Sequence, residues 1–403
     1  MTNPSLPYRT RNFRALDFDF TLETDHAGLA QYLDSAFAAL ATGDDASHVA
    51  TLNVEGADSK PHVMIDGETL SVPRGSARVL PALMSAVNRA VVDASANRLL
   101  VHASAVETDG RALLFPAPME AGKSTLAAGL LRAGYRYVTD EAVSIDPATL
   151  EVEPYPRPIS LDRGSWPLFA DLRPATPNGV ERFCTEQWHI SPLSVRPDAV
   201  AHPSHPGVVA FTAYEPERRT RARRMPRAQA LCELVGCTFN LERLGTTAFD
   251  ALARVVAASR CYRLTVGDLD SACVTVARMV QDLDAPDALP DALVVTEPFV
   301  AADQMMGADI IDAGFAIARR PGVAWALLDH VVVYDPDSGR VVRLNDSGSL
   351  LWQVLDGGTP LGDLAADLSD AFGSDRHAVE ADVVALARRL ARLGLLAHPA
   401  QPG

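Results

Sequence analysis

No apolar run in this 403-residue chain reaches the length of about 18 positions that a membrane-spanning helix needs before a charge or polar group interrupts it, so no membrane span is expected. Cysteine is scarce and odd in number: five, at 184, 232, 237, 261 and 273. Such scatter in a large chain reads as reduced core or surface thiols of a cytoplasmic protein rather than a disulfide framework. Cys232 and Cys237 lack a second pair at metal-ligand spacing, which argues against a zinc pair there. Positive charge is in deficit, with a formal net charge of −15, and this argues against sequence-independent nucleic-acid binding. The N-terminus mixes Tyr8, Arg9, Arg11 and Arg14 with Asp17 and Asp19 and holds no apolar signal core. What is present is ordinary for a globular chain, 48% apolar and 22% charged, and the length predicts two or three domains.

Patterning separates three regions. Up to residue 95, short strand-like runs (50–54, 62–65, 69–72) alternate with helical stretches at 29–41 and 79–94, predicting a small α+β domain without evident chemistry. From 96 to 283 strands and helices alternate, with strands at 99–106, 112–115, 135–139, 208–211 and 262–265 and helices near 227–236 and 268–283. Residues 284–313, opening on a run of Asp, Ala and Pro, read as a linker. Residues 314–403 predict a strand meander (324–328, 330–334, 340–344) followed by helices at 347–355, 361–372 and 377–393.

The chemistry concentrates in the second region. Ala117-Pro118-Met119-Glu120-Ala121-Gly122-Lys123-Ser124-Thr125 follows an apolar strand and opens a helix. Unpaired N–H groups at a helix start can hold phosphate oxygens, Lys123 can reach the outer phosphates, and the Ser124 hydroxyl can ligate Mg²⁺. The first glycine of the usual pattern is Ala117, and a chance Ala-Gly-Lys-Ser at a helix start is the plainer alternative. Phosphoryl transfer also needs a carboxylate near the acceptor. Asp140 ends the next strand at the sheet edge where the loop lies, and Glu141 adds a second carboxylate for metal or water. The alternative for this pair is a solvated strand end, and for His102 a core histidine.

In order and spacing, His102-Ala-Ser-Ala-Val106, the loop, and Thr139-Asp-Glu-Ala-Val143 resemble HPr kinase/phosphorylase-like proteins. The resemblance implies a P-loop kinase core akin to phosphoenolpyruvate carboxykinase over 96–283, with ATP and Mg²⁺ as cofactors. It implies that Asp140 activates a serine hydroxyl for attack on the γ-phosphate, with His102 and Lys123 as catalytic partners. A downstream Pro- and Gly-containing signature tied to phosphorolysis has no clear counterpart, so the reverse reaction is not carried over. Arg218, Arg219, Arg221, Arg223, Arg224 and Arg227 form the one dense basic patch, suited either to phosphate or acidic-peptide recognition or to a solvated, mobile loop.

The C-terminal region resembles the PqqD-like family, or RiPP recognition element, through the meander, Leu344-Asn-Asp-Ser-Gly-Ser-Leu-Leu-Trp352, Leu355-Asp-Gly-Gly-Thr359 and a tail ending Leu393-Gly-Leu-Leu396. Asn345 or Ser347 is expected to cap the first helix. The resemblance implies a winged-helix-type domain to which the leader of a ribosomally made precursor peptide adds as a strand beside Arg340, Val341, Val342, Arg343 and Leu344. The leader's side chains are then expected near Val383, Leu386 and Leu390.

Together these readings predict an α/β chain that is an ATP-dependent kinase of a Ser or Thr hydroxyl in a precursor peptide. A nucleotide-responsive scaffold and a small-molecule kinase are the rival expectations. Contacts with other pathway enzymes and homo-oligomer formation are left open.

Overall fold

The computed structural model describes residues 6–55, 60–119, 121–177, 179–284, 293–296 and 308–397. Glu120 of the loop, and 285–292 and 297–307 of the expected linker, lie outside the described residues. Two compact units divide the chain. The first takes Met1–Arg224, Cys237–Asn240 and Ala258–Pro286, and the second Met225–Gly236, Leu241–Ala257 and Asp287–Gly403. The sequence-based boundaries divide the chain differently. Residues 1–95 fall within the first unit, and most of 225–257 falls within the second.

In the first unit, β1 (Tyr8–Ala15), β2 (Phe18–Thr24), β3 (His48–Asn53), β4 (His62–Ile65) and β5 (Glu68–Ser71) form one sheet in that order. Two helices accompany them, α1 (Ala27–Ala36) and α2 (Val79–Ala94). Helix α2 buries Val79, Leu80, Leu83, Met84, Val87 and Val91, a spacing of three and four that keeps one stripe inward.

The chain continues through β6 (Leu99–Thr108), β7 (Arg111–Pro116), α3 (Lys123–Arg132), β8 (Arg136–Thr139), β9 (Ala142–Ile145), β10 (Val152–Glu153), β11 (Ile159–Asp162), β12 (Gln187–Ile190), β13 (His205–Tyr214) and β14 (Arg221–Arg224). Three helices follow, α4 (Arg227–Val235), α5 (Leu241–Leu244) and α6 (Thr246–Ala258), before β15 (Arg260–Val266) and α7 (Leu269–Gln281). The larger sheet runs β10-β9-β6-β7-β13-β15-β14, with β8 also on β6. Strands β7, β13 and β15 are parallel, and their near-continuous apolar composition fits strands covered on both faces. One face packs Leu113, Phe115, Val208, Tyr262 and Leu264 against Leu126 and Leu130 of α3 and Val276 and Met279 of α7.

In the second unit β16 (Leu293–Thr296), β18 (Ala324–Leu327), β19 (Val331–Asp335) and β20 (Arg340–Arg343) form an antiparallel sheet in the order β16-β18-β19-β20, and β17 (Ala318–Arg319) pairs with β21 (Leu396–Ala397). Helices α8 (Asp346–Val354), α9 (Leu361–Phe372) and α10 (Arg376–Arg392) supply Leu351, Trp352, Leu364 and Leu390 to a core shared with Trp325, Val331 and Val333. Asn345 caps α8 by accepting from the Gly348 N–H at 3.0 Å, one of the two expected caps.

The other face of the meander is covered too. Tyr334 stacks on Phe249 of α6 at 5.4 Å between centroids, and α4 packs on β19 and β20. Asp329 accepts from the Ala228 N–H at 2.6 Å, tying the start of α4 to the turn before β19. This explains why all five residues of β19 are buried although a two-layer module would expose every second one. The sequence pattern finds α4 but not α6, and periodicity alone does not say which sheet a helix covers.

At Gly267 an added Cβ would stand 1.9 Å from the Arg218 carbonyl oxygen, a backbone atom that cannot step aside. Gly267→Ala is therefore expected to cost about 1–3 kcal/mol, read as a lower urea midpoint at unchanged m. An unshifted midpoint would mean that the turn at 215–220 is loosely held.

Candidate active site

The site is built on β6. Its first half, Leu99–His102, pairs with β9, and its later residues Ala105–Glu107 pair with β8. The partner changes at Ala103, whose N–H donates to the Glu141 carbonyl at 3.2 Å. On the opposite edge Ala103 faces Pro116, the last residue of β7 before the loop. One strand position therefore brings together three segments: His102 beside it, Asp140-Glu141 at the break between β8 and β9, and the start of Ala117–Thr125.

Gly122 precedes α3 at φ +80, a conformation that glycine adopts without strain, and its side-chain direction is open to 3.9 Å. No described side chain caps the start of α3. Those end groups are of the kind that an anion can satisfy. Lys123 is buried and folds back on the loop, donating to the carbonyls of Ala117 at 3.0 Å and Pro118 at 2.8 Å. It is one of only two lysines in the chain, the other being Lys60. Burial lowers its pKa, opposed by the charges of Glu141 and Asp140. Ala121 and Ser124 are half-buried, Met119 is exposed, and Thr125 Oγ1 lies 2.5 Å from Ser165 Oγ.

The two carboxylates differ. Asp140 is 1% exposed; its Oδ2 accepts from the Ser160 N–H at 3.0 Å, and Oδ1 lies 3.5 Å from Arg157 Nη1 without a hydrogen bond. Glu141, with 34% of its side chain exposed, lies 3.4 Å from the same Arg157 nitrogen and 3.6 Å from His102 Nε2. Burial raises the Glu141 pKa, against the pull of Arg157. The Arg157 guanidinium is itself buried, a cost more than offset by the Asp140 and Glu141 carboxylates, so it stays charged. Burial, with the Lys123 charge nearby, lowers the His102 pKa to about 4. Asp140-Glu141 is thus no solvated strand end. His102 is half-buried beside the carboxylates, with Phe239 5.3 Å from its ring and its backbone N–H donating to the Cys237 carbonyl at 2.7 Å.

Three contributors escape a sequence reading. Arg157 stands alone between two prolines, Ser160 acts through its backbone, and Cys237–Asn240 is a short run between helices. None carries a motif. The expected peptide-contact residues are divided by burial. Leu344, Val383 and Leu390 belong to the core of their unit and offer almost no surface, so a direct contact with a peptide is not theirs. Arg340 and Arg343 are exposed, and Val341, Val342 and Leu386 half-buried. Arg227 is buried in α4 of the second unit, apart from the other arginines of its run.

Residues 330–396 match the family of coenzyme PQQ synthesis protein D (PqqD). No curated protein matches the chain. Among solved structures it is similar to the HPr(Ser) kinase/phosphatase from Coxiella burnetii, at 11% identity and a TM-score of 0.25, over 46% of this chain and 99% of that one. A superposition this loose supports no inference about activity. No described helix is long and apolar enough to cross a membrane.

The His102 pKa of about 4, against an ordinary 6.5, sets a pH window. As pH falls below 6.5 the unfolded chain takes up a proton that the folded site refuses until about 4, so acidification destabilises the fold through this residue. His102→Gln should remove part of the fall in Tm across that window, and the His102 ring should remain neutral by NMR at about pH 5.5. A ring titrating near its ordinary value would place it outside the Lys123 field.

Proposed function

We propose that this chain is an ATP-dependent kinase that phosphorylates a Ser or Thr hydroxyl of a ribosomally made precursor peptide, with the peptide's leader held by the PqqD-like domain. The observation that carries the reading is the convergence at Ala103 of a buried lysine, two carboxylates of unlike exposure and a neutral histidine beside an uncapped helix start. The backbone of Ala117–Pro118–Met119 and Ala121–Thr125, with Lys123, would hold the triphosphate, and Ser124 and Glu141 would hold Mg²⁺. The metal would neutralise phosphate charge when bound.

Asp140 is then the acceptor of the hydroxyl proton. Its Oδ1 lacks a hydrogen bond, and Arg157 and Ser160 fix the carboxylate in place. A second reading follows from exposure. Glu141 is the more accessible carboxylate and lies beside His102, so it takes the proton while Asp140 anchors Arg157. Two variants separate these readings. Under the first, Asp140→Asn keeps nucleotide binding and lowers transfer by about 10²–10⁴-fold, read by mass spectrometry of the peptide after incubation with ATP and Mg²⁺. Under the second, Glu141→Gln carries that loss, and Asp140→Asn chiefly lowers stability. Full transfer in both variants would remove both carboxylates from the proton-accepting role, and absence of transfer by the unaltered chain would end the kinase reading.

The PqqD match supports the peptide side. Strand β20 ends its sheet among the described residues, so one edge is available to an added strand, with Arg340, Val341, Val342 and Arg343 along it and Leu386 on α10 as the remaining side-chain contact. Backbone pairing supplies affinity there, and a held leader raises the local acceptor concentration to roughly millimolar. Leu386→Ser should raise KM for the leader-bearing peptide about tenfold and leave the leaderless core peptide unaffected. Equal effects on both would remove the docking role.

A further inference from the structure

The arginine-rich run is a strand, not a mobile loop. Arg221–Arg224 pairs antiparallel with β15 along its whole length, and β14 ends the larger sheet, leaving its outer edge unpaired among the described residues. The turn leading into it is fastened. Glu215 donates its N–H to the Val266 carbonyl at 2.8 Å, Thr220 Oγ1 accepts from the Gly267 N–H at 2.9 Å, and Gly267 admits the Arg218 carbonyl only because it has no Cβ. That turn starts at the phosphate-loop end of the sheet, since Tyr214 at the end of β13 lies next to Gly122. β14 then runs away from this end, with Arg221 nearest to it.

The arginines are not equivalent. Arg224 lies over the Tyr262 ring at 5.2 Å, and Ala222 packs against the core on the same face. Arg221 and Arg223 point to the other face and are exposed, as are Arg218 and Arg219 in the turn. Arg223 stands directly opposite Arg263 in the register, an arrangement that costs stability in a sheet. Arg218 has Glu215 at 3.5 Å, whereas no carboxylate lies within ion-pair distance of Arg219, Arg221 or Arg223 among the described residues. The chain carries 51 acidic against 36 basic side chains, so a patch without acidic partners is against the average. Charge on an edge strand guards against aggregation. That role does not call for a second arginine on the inner neighbour.

We propose that β14 is a docking strand for an extended acidic segment of the acceptor peptide, running away from the phosphate loop. The segment pairs with the open edge through its backbone and places carboxylates on Arg219, Arg221 and Arg223. The identity of the occupant as acceptor rests on the kinase reading; the binding does not. Specificity for acidic residues flanking the acceptor hydroxyl comes from this strand, separately from leader recognition by the PqqD-like domain.

The test uses the full chain without nucleotide and a fluorescent peptide of alternating Asp and Ala, lacking Ser and Thr, in anisotropy titrations at low and moderate salt. The matched Asn/Ala peptide and a single-stranded DNA oligonucleotide of equal charge are the comparison probes. The expected result is binding of the acidic peptide that weakens with salt and weakens at least about tenfold in Arg221→Gln/Arg223→Gln, two exposed positions whose neutralisation leaves ATP binding unchanged and does not lower Tm. Equal binding of the Asn/Ala peptide, indifference to the double substitution, or tighter binding of the oligonucleotide each overturns the proposal. If the peptide binds as expected but no peptide is ever phosphorylated, the kinase reading fails and the docking strand stands.

Discussion

A buried guanidinium organises the first unit. Arg157 is taken out of water and has two carboxylates, Asp140 and Glu141, within 3.5 Å of one nitrogen. An unpaired charge at that depth would cost several kcal/mol, so the cation and the anions require one another. The constraint propagates. Asp140 must also satisfy the Ser160 N–H, which fixes the start of β11, and β11 in turn pairs with β12, where His189 lies in register with Ser160. Burial and the same arginine lower the His189 pKa to about 3, so it is neutral in the folded chain. A single ion-pair geometry thus sets the protonation and placement of groups distant in sequence.

The strand that serves the site is held from three directions. β6 exchanges partners from β9 to β8 at Ala103 and pairs with β7 on its other edge. Cys237–Asn240 bonds to its first residues: the Phe239 N–H donates to the Leu100 carbonyl at 2.9 Å, and the Asn240 side chain accepts from the Leu100 N–H at 3.1 Å. A strand so tied has little freedom, and it holds the His102 ring 3.6 Å from Glu141. The unlike exposure of the two carboxylates follows from the break between β8 and β9, because consecutive residues at a strand break leave in different directions.

In the second unit the meander is buried on both faces, by α8–α10 on one and by α4 and α6 on the other. With both faces covered, what β20 leaves open among the described residues is its outer edge. Residues that the family resemblance implies as peptide contacts, Leu344, Val383 and Leu390, serve the core instead.

Local signals were enough to predict much of this protein. The strands before and after the loop, the helix it opens and the acidic pair at 140–141 depend on spacing and local backbone demands and lie where expected, and Asn345 is the one of two expected residues that caps α8. The arginine run was visible as charge but not as a strand, since its pairing with β15 spans roughly 40 residues. Three matters were decided by tertiary structure. Arg157 joins the carboxylates because the Ser160 N–H, three residues on, is bonded to Asp140 and brings this segment to the pair. The helices between β14 and β15 pack with the C-terminal unit although they interrupt the sheet of the first. Leu344, Val383 and Leu390 are core rather than contact. Periodicity reports that a helix or strand has an apolar face, whereas which surface covers that face, and which charge is buried against which, depends on contacts between residues far apart in the chain.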